Sequence, residues 1–338
     1  KLGFFEEPGN TLTSNANVEG FRGRNYAAAN VYSFQDLRSG QRDDPPYIFP
    51  LLDYNGLGEI DAYGGRWNLD ANFRHLRRED SADSVRTSVI AGYQLPVTAD
   101  AGYVTTFAAN LRTDLYHMSQ NRAVDAQGNR VEDGFTGRVH PQASVDWRYP
   151  FARQSSFGQQ TIEPIAAVFV APNGGNPNDI INEDSAVVEE DDTNLFSQDR
   201  IPGLDRVEGG SRVAYGVKMS QFFGLNSRIS GFLGQSMRLR SDDGLGAETG
   251  LKSSESDYLG YVDVAPNEYV DVLYRFQLDH DNLDLTRNEV GFRLGSEALN
   301  VVGDYTHVRN RFDPEVDDIV EIRFRPNTEI DDNWRASA

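Results

Sequence analysis

Apolar and polar residues alternate with a period of two along much of the chain. In residues 267–279, NEYVDVLYRFQLD, one set of alternate positions is apolar and most of the other set is charged or polar. Because successive side chains of a β-strand point to opposite faces, this pattern predicts a strand with one apolar and one polar face. Residues 66–76 and 144–149 repeat the pattern, and about fourteen to seventeen segments share it. The sequence therefore predicts an all-β fold.

The chemistry of the polar face separates a soluble sandwich from a membrane barrel, since both show alternation. Acidic and basic residues recur together on the polar positions, which suits a water-filled interior surrounded by a lipid-facing apolar surface. No run of about 18 apolar residues occurs, so the sequence predicts no transmembrane helix. We expect residues 1–338 to form an antiparallel membrane β-barrel. The lumen-facing candidates are Arg74, Asp114, Asp146, Arg148, Asp271, Arg275 and Arg293.

Composition narrows the possible partners. The 338 residues carry a formal net charge of −20, which disfavours nucleic acid as a partner because phosphate binding needs a basic surface. There is no cysteine, so disulfides and thiolate metal sites are excluded. Acidic residues concentrate in residues 182–192, 240–257 and 311–318, which are interpreted as solvated loops. The alternative interpretation is that these loops bind divalent cations.

Catalytic patterns are absent from the sequence. The five histidines show no metal-ligand spacing, and the glycine-rich segment PNGGNPND lacks the lysine and helix of a phosphate loop. Carboxylates are so numerous that pairs suited to glycoside hydrolysis mean little. We therefore expect neither an enzyme nor a cofactor or metal.

One long motif resembles a known family. Residues 191–210, DDTNLFSQDRIPGLDRVEGG, resemble the D-x-x-N-L-F-x-x-D-R-x-x-G-x-D-R-x-E-x-G run of the LPS-assembly outer-membrane protein family, LptD. The matching residues are Asp191, Asn194, Leu195, Phe196, Asp199, Arg200, Gly203, Asp205, Arg206, Glu208 and Gly210. Residues 46–55, 83–97, 111–118 and 328–338 resemble further segments of the same family in the same order.

The resemblance implies transport without covalent chemistry. Members form a large barrel in the Gram-negative outer membrane that receives lipopolysaccharide from a periplasmic bridge and inserts it into the outer leaflet. The implied partners are lipopolysaccharide, an LptE-like plug lipoprotein, outer-membrane lipids and, through an N-terminal periplasmic jelly-roll domain, the bridge proteins. That jelly-roll domain is not recognisable in residues 1–338, so the resemblance implies that residues 1–338 form a portion of the large antiparallel outer-membrane β-barrel.

The motif also predicts a structural role for its charged residues. Fork-shaped guanidinium groups beside carboxylates can fix a loop by charge-assisted hydrogen bonds. We expect Asp199, Arg200, Asp205, Arg206 and Glu208 to hold a long loop against the barrel wall or the plug; the alternative is that they only cap a hairpin. Two other functions stay open: a passive outer-membrane porin or channel, and a secreted all-β carbohydrate-active enzyme.

Overall fold

A computed structural model shows 17 strands. It describes residues 11–37, 44–79, 81–119, 133–177, 179–186, 190–224, 226–240, 254–296, 298–309, 318–331 and 334–337. The strands are β1 (Thr11–Arg22), β2 (Asn25–Asp36), β3 (Tyr47–Ile60), β4 (Arg66–Arg77), β5 (Asp83–Thr98), β6 (Val104–Ser119), β7 (Gly134–Arg148), β8 (Phe151–Ser155), β9 (Gly158–Val170), β10 (Ser211–Phe222), β11 (Arg228–Arg240), β12 (Tyr258–Asn267), β13 (Val270–Leu278), β14 (Leu285–Gly295), β15 (Leu299–Val308), β16 (Ile319–Asp331) and β17 (Trp334–Ser337). The all-β prediction and the predicted range of strand number are confirmed.

The strands form one antiparallel sheet in which neighbours in sequence are neighbours in space. The exception is β8, which continues the line of β7, because both strands pair with β9. Each remaining strand pairs with the next one along the chain, from β1–β2 to β16–β17. Within the described ranges, no ladder joins β1 to β17, and no helix is long and apolar enough to cross a membrane.

Connections differ at the two ends of the strands. At the short-turn end, β1–β2, β8–β9 and β12–β13 are joined through residues 23–24, 156–157 and 268–269. At the long-loop end, β9 and β10 are joined through residues 171–210 and β11 and β12 through residues 241–257. Short turns at one end and longer loops at the other are typical of outer-membrane barrels.

The two faces of the sheet follow the predicted alternation. Trp67, Leu69, Leu111, Leu115 and Val139 lie on the outward face, where each is at least 42% exposed. The opposite, inward face carries a continuous row of charged and polar side chains, which register across β4–β7 brings together. A sheet that faces a membrane requires a large exposed apolar surface. The same surface facing water would be unfavourable in free energy.

The principal buried apolar cluster lies between the inward face and the β9–β10 loop. Phe169, Ala214, Phe232 and Leu259 come from β9 to β12, and Leu195 comes from the loop and is fully buried. The loop therefore covers part of the inward face with its own small core.

Candidate functional site

The β9–β10 loop, residues 171–210, is folded against the inward face of the sheet. Its two ends are tied together at the mouth of the hairpin: the Ala171 amide donates to the Gly210 carbonyl at 2.8 Å and the Gly210 amide donates to the Pro172 carbonyl at 3.1 Å. Gly210 has φ +85°, a left-handed conformation that a side chain would strain. These two hydrogen bonds lead the chain back into β10, and the loop between them remains on the inward side of the sheet.

Asp205 is the centre of the contact between the loop and β4–β6. Its carboxylate accepts hydrogen bonds from Arg86 at 2.7 Å, Tyr116 at 3.2 Å and Arg74 at 3.3 Å. The backbone amide of Glu183 donates to it at 2.8 Å and that of Asp184 at 3.1 Å. Asp205 is completely buried, and five donors satisfy its charge, as a buried carboxylate requires.

Asp184 lies beside Asp205 and shares its cations. Arg86 forms an ion pair with Asp184 at 2.5 Å and Arg74 forms one at 3.3 Å. The second carboxylate oxygen of Asp184 accepts from the backbone amides of Leu204 and Asp205. Burial would raise the pKa of Asp184, but Arg86 and Arg74 hold it well below its usual range. Two carboxylates thus face two guanidinium groups.

A second row of arginines holds the backbone of the loop. Arg112 and Arg138 both pair with Asp114 and both donate to the Leu204 carbonyl. Arg138 also donates to the Gly175 carbonyl at 3.0 Å. Because these cations belong to β6 and β7, the loop contacts four consecutive strands of the wall.

Arg200 and Glu208 join the loop to itself and to β10–β11. Arg200 pairs with Glu208 and Glu190, and Glu208 also contacts Arg238 at 3.2 Å and Arg212 at 3.5 Å. Burial would raise the pKa of Glu208, but the hydrogen bonds and charge of Arg200 hold it below the ordinary value. These contacts fix the loop to β10 and β11.

Asp199 and Arg206 contribute differently from the other charged motif residues. The Asp199 carboxylate accepts from the Ile201 amide at 3.0 Å, a contact within its own turn, and burial raises its pKa to about 6. Burial lowers the pKa of Arg206, whose backbone amide donates to Ser185 Oγ at 2.9 Å. Among the described residues, none accepts a hydrogen bond from the Arg206 side chain.

The lumen-facing candidates divide into groups. Arg74 and Asp114 lie in the wall network just described, and Arg275 contacts loop residue Asp192 at 3.3 Å. Asp146 and Arg148 pair with each other at 2.8 Å on β7.

The remaining two candidates lie apart from the loop. Asp271 is bound by Arg228 at 3.2 Å, and Arg293 stands directly opposite Asp271 in the β13–β14 register. All the lumen-facing candidates share the inward face, but only three belong to the loop contact.

Several residues of the site were not among the sequence candidates. Arg86, Tyr116 and Arg138 are examples on the inward face, and Asp184 belongs to an acidic stretch that the sequence suggested as a solvated loop. Alternation could have found the first three, because they occupy inward positions of predicted strands. Nothing local marks Asp184, since its partners are about 100 residues away in sequence.

The acidic stretches have different outcomes. In residues 182–192, Glu183, Asp184, Glu190 and Asp192 pair with arginines, which leaves these carboxylates engaged. Most of the other two stretches, residues 241–253 and 311–317, lie outside the described residues. The arrangement of the described residues can fix a loop by charge.

Comparison with known proteins agrees with the motif. The family model described as "LPS transport system D", LptD, matches residues 3–334. The chain is 25% identical over 305 residues to the "LPS-assembly protein LptD" of Shewanella sp. (strain ANA-3), covering 85% of this chain and 38% of that protein. It is 28% identical over 144 residues to the protein of the same name in Escherichia coli (strain K12), covering 41% of this chain and 18% of that protein. The predicted resemblance is confirmed, and the chain belongs to the LptD family.

Proposed function

We propose that this chain is part of an outer-membrane barrel that transfers lipopolysaccharide into the outer leaflet. The observation that carries the proposal is the family match across residues 3–334, since relatives are named for lipopolysaccharide assembly. The chain spans 38% of the length of the Shewanella relative, so the activity belongs to a longer protein of which this sheet would be the membrane portion.

The outward face supports a membrane location. Its exposed apolar residues form a surface suited to lipid, and an aromatic group lies at the short-turn end. Tyr149 contacts Phe151 with ring centroids 4.2 Å apart and Trp147 at 6.0 Å, while Tyr103 lies 6.0 Å from Tyr149. Aromatic residues concentrate at the interfaces of membrane barrels because their rings combine apolar and polar character.

The β9–β10 loop would restrict the lumen. Asp205 attaches it to β4–β6, the Arg200–Glu208 cluster attaches it to β10–β11, and Asp192 reaches Arg275 on β13. We infer that Asp205, Arg200 and Glu208 hold the loop in place, with Asp199 and Arg206 shaping its turns. A passive porin needs an open channel, so this obstruction favours the transporter.

The rest of the inward face offers a surface for cargo or a plug. Arg228, Asp263 and Asp271 form a three-member cluster on β11–β13, and Arg287 and Glu289 pair on β14. We propose that an LptE-like lipoprotein occupies this side of the lumen and that bridge proteins deliver lipopolysaccharide through the parts of the longer protein outside this chain.

Site-specific photo-crosslinking tests the proposal in the full-length protein in living cells. A photoreactive residue at Arg148, Asp271 or Arg275 is expected to give lipopolysaccharide and lipoprotein adducts. Val272 is the matched control, because it neighbours Asp271 and lies on the opposite face. A passive channel would yield neither adduct, and a secreted enzyme would be recovered without detergent.

A further inference from the structure

A groove of about 830 Å³ lies on the outward face at the short-turn end. It arises because neighbouring hairpins differ in length. Pairing of β2 with β3 ends where Asn25 faces Gly56, whereas β3 continues to Ile60 and stays paired with β4. The β1–β2 turn therefore stops short of the rim and leaves a notch beside β3.

Apolar and aromatic side chains line the groove. Gly56 faces Leu69 across the β3–β4 pair, which places it on the outward face. The Tyr54 ring lies over Gly56, since a Cβ there would be 2.9 Å from Tyr54 Oη. Tyr54, Leu69 and Trp67 line the groove and are 37%, 42% and 60% exposed. The groove therefore presents an apolar and aromatic surface beside the backbone of β3.

Two arginines lie at the rim end of the groove. Arg22 is exposed and faces Asn25, so it shares the outward face with Gly56. No described residue forms an ion pair with Arg22. Arg24 pairs with Glu59 at 3.2 Å, but the side chains are 44% and 84% exposed, so this pair contributes little and can be exchanged for another anion.

We propose that the groove binds one glycerophospholipid of the surrounding bilayer. Arg22 and Arg24 would bind the phosphodiester, and an acyl chain would lie against Tyr54, Leu69 and Trp67. This inference rests on the membrane location given in the proposed function. The commitment to phospholipid follows from position: the short-turn end of outer-membrane barrels faces the periplasm, opposite the leaflet that holds lipopolysaccharide. Charge complementarity and the adjoining apolar channel together match a lipid headgroup and its chain.

Photolabelling of the purified full-length protein tests the site. The probe is phosphatidylglycerol with a diazirine in one acyl chain, incorporated into nanodiscs, and labelled peptides are identified by mass spectrometry. We expect residues 54–69 to be labelled at least five-fold above other outward strands. Leu69→Ala removes an apolar contact from the groove and R22Q/R24Q removes the cations, and each should abolish that excess. Arg153→Gln is the matched control, because Arg153 is also exposed near the short-turn end but lies outside the groove.

The outcomes distinguish a failure of the lipid site from a failure of the proposed function. Uniform labelling of the outward strands would overturn the site while supporting the membrane location. Absence of labelling on every strand would contradict the membrane location itself. Displacement of the probe by lipopolysaccharide but not by unlabelled phosphatidylglycerol would also overturn the proposal, by assigning the groove to the other lipid. Circular dichroism of each variant verifies that the sheet is intact. Because two independent variants are tested, a folding defect in one of them does not decide the result.

Discussion

At the scale of single residues, Asp205 is the centre of the contact between the loop and the wall of the sheet. Its carboxylate is buried and faces Arg74 and Arg86, which are buried as well. Removing one member of a buried cluster of charges leaves the remaining charges incompletely compensated in a low-dielectric environment. The cost therefore exceeds that of an exposed ion pair.

The change Asp205→Asn should lower the free energy of unfolding by about 3–5 kcal/mol, because Arg74 and Arg86 would then share the single carboxylate of Asp184. The matched control is Asp146→Asn, whose partner Arg148 is 39% exposed; its cost should be about 0–1 kcal/mol. Urea unfolding in lipid vesicles, followed by tryptophan fluorescence, measures both. Equal costs for the two variants would contradict the role of Asp205.

Asp199 should introduce a pH dependence of opposite sign to the paired acids. Burial raises its pKa from 3.8 to about 6, so the folded state binds a proton more tightly than the unfolded state. The contribution of this group to stability is complete below its unfolded pKa and is lost as the pH rises through its folded pKa.

The variant Asp199→Asn should therefore be more stable than the parent above pH about 6, by at most about 3 kcal/mol, with the difference vanishing near pH about 4. The measurement is the difference between the two unfolding free energies across that pH range, in which shared effects of the paired acids cancel. A flat difference would show that Asp199 does not titrate in this window.

At the scale of elements, the β3–β4 turn shows how side chains secure the short-turn end. Asp61 accepts from the amides of Tyr63 and Gly65 at 2.9 Å and from Tyr93 Oη at 2.8 Å. A Cβ on Gly65 would lie 1.8 Å from Tyr93 Oη, so only glycine leaves room for this ring. The turn and β5 are thereby joined on the outward face, where Trp67 packs on Tyr93.

Gly65→Ala should destabilise the sheet by about 1–3 kcal/mol, since the added methyl group displaces Tyr93. In a Tyr93→Ala background the same change should cost at most about 0.5 kcal/mol, because the clash is gone. A double-mutant cycle on unfolding free energies gives the coupling. Additive costs would exclude steric contact as the cause.

At the scale of the whole molecule, the β9–β10 loop connects distant parts of one sheet. Strands β4–β7 and strands β10, β11 and β13 contact the same loop through separate clusters of charged side chains. The loop therefore links two distant groups of strands in a sheet that has no conventional central core.

Replacement of residues 179–206 by a short glycine–serine linker should open the lumen and raise the single-channel conductance of the full-length protein in planar bilayers at least several-fold. The physical reason is that water and ions would fill the space that the loop occupies. Asp146→Asn is the control and should leave the conductance unchanged. An unaltered conductance in the linker variant would show that the loop does not obstruct the channel.

The strands, their two faces and the family can be predicted from the sequence. Alternation is local, so it places Arg74, Asp114 and Arg275 on the inward face without knowledge of the fold. The motif of residues 191–210 identified the family because its charged and glycine residues occur at fixed spacing.

Which charged side chains form pairs depends on the tertiary structure. Asp184 and Arg86 are separated by 98 residues in sequence, and a period of two carries no information on such pairs. The sequence also did not reveal which motif residue has which role. Asp205, Arg200 and Glu208 contact buried partners, while Asp199 accepts a hydrogen bond within its own turn. Contact between a loop and a wall depends on how the sheet curves and where the loop returns, and both are set by packing over the whole chain.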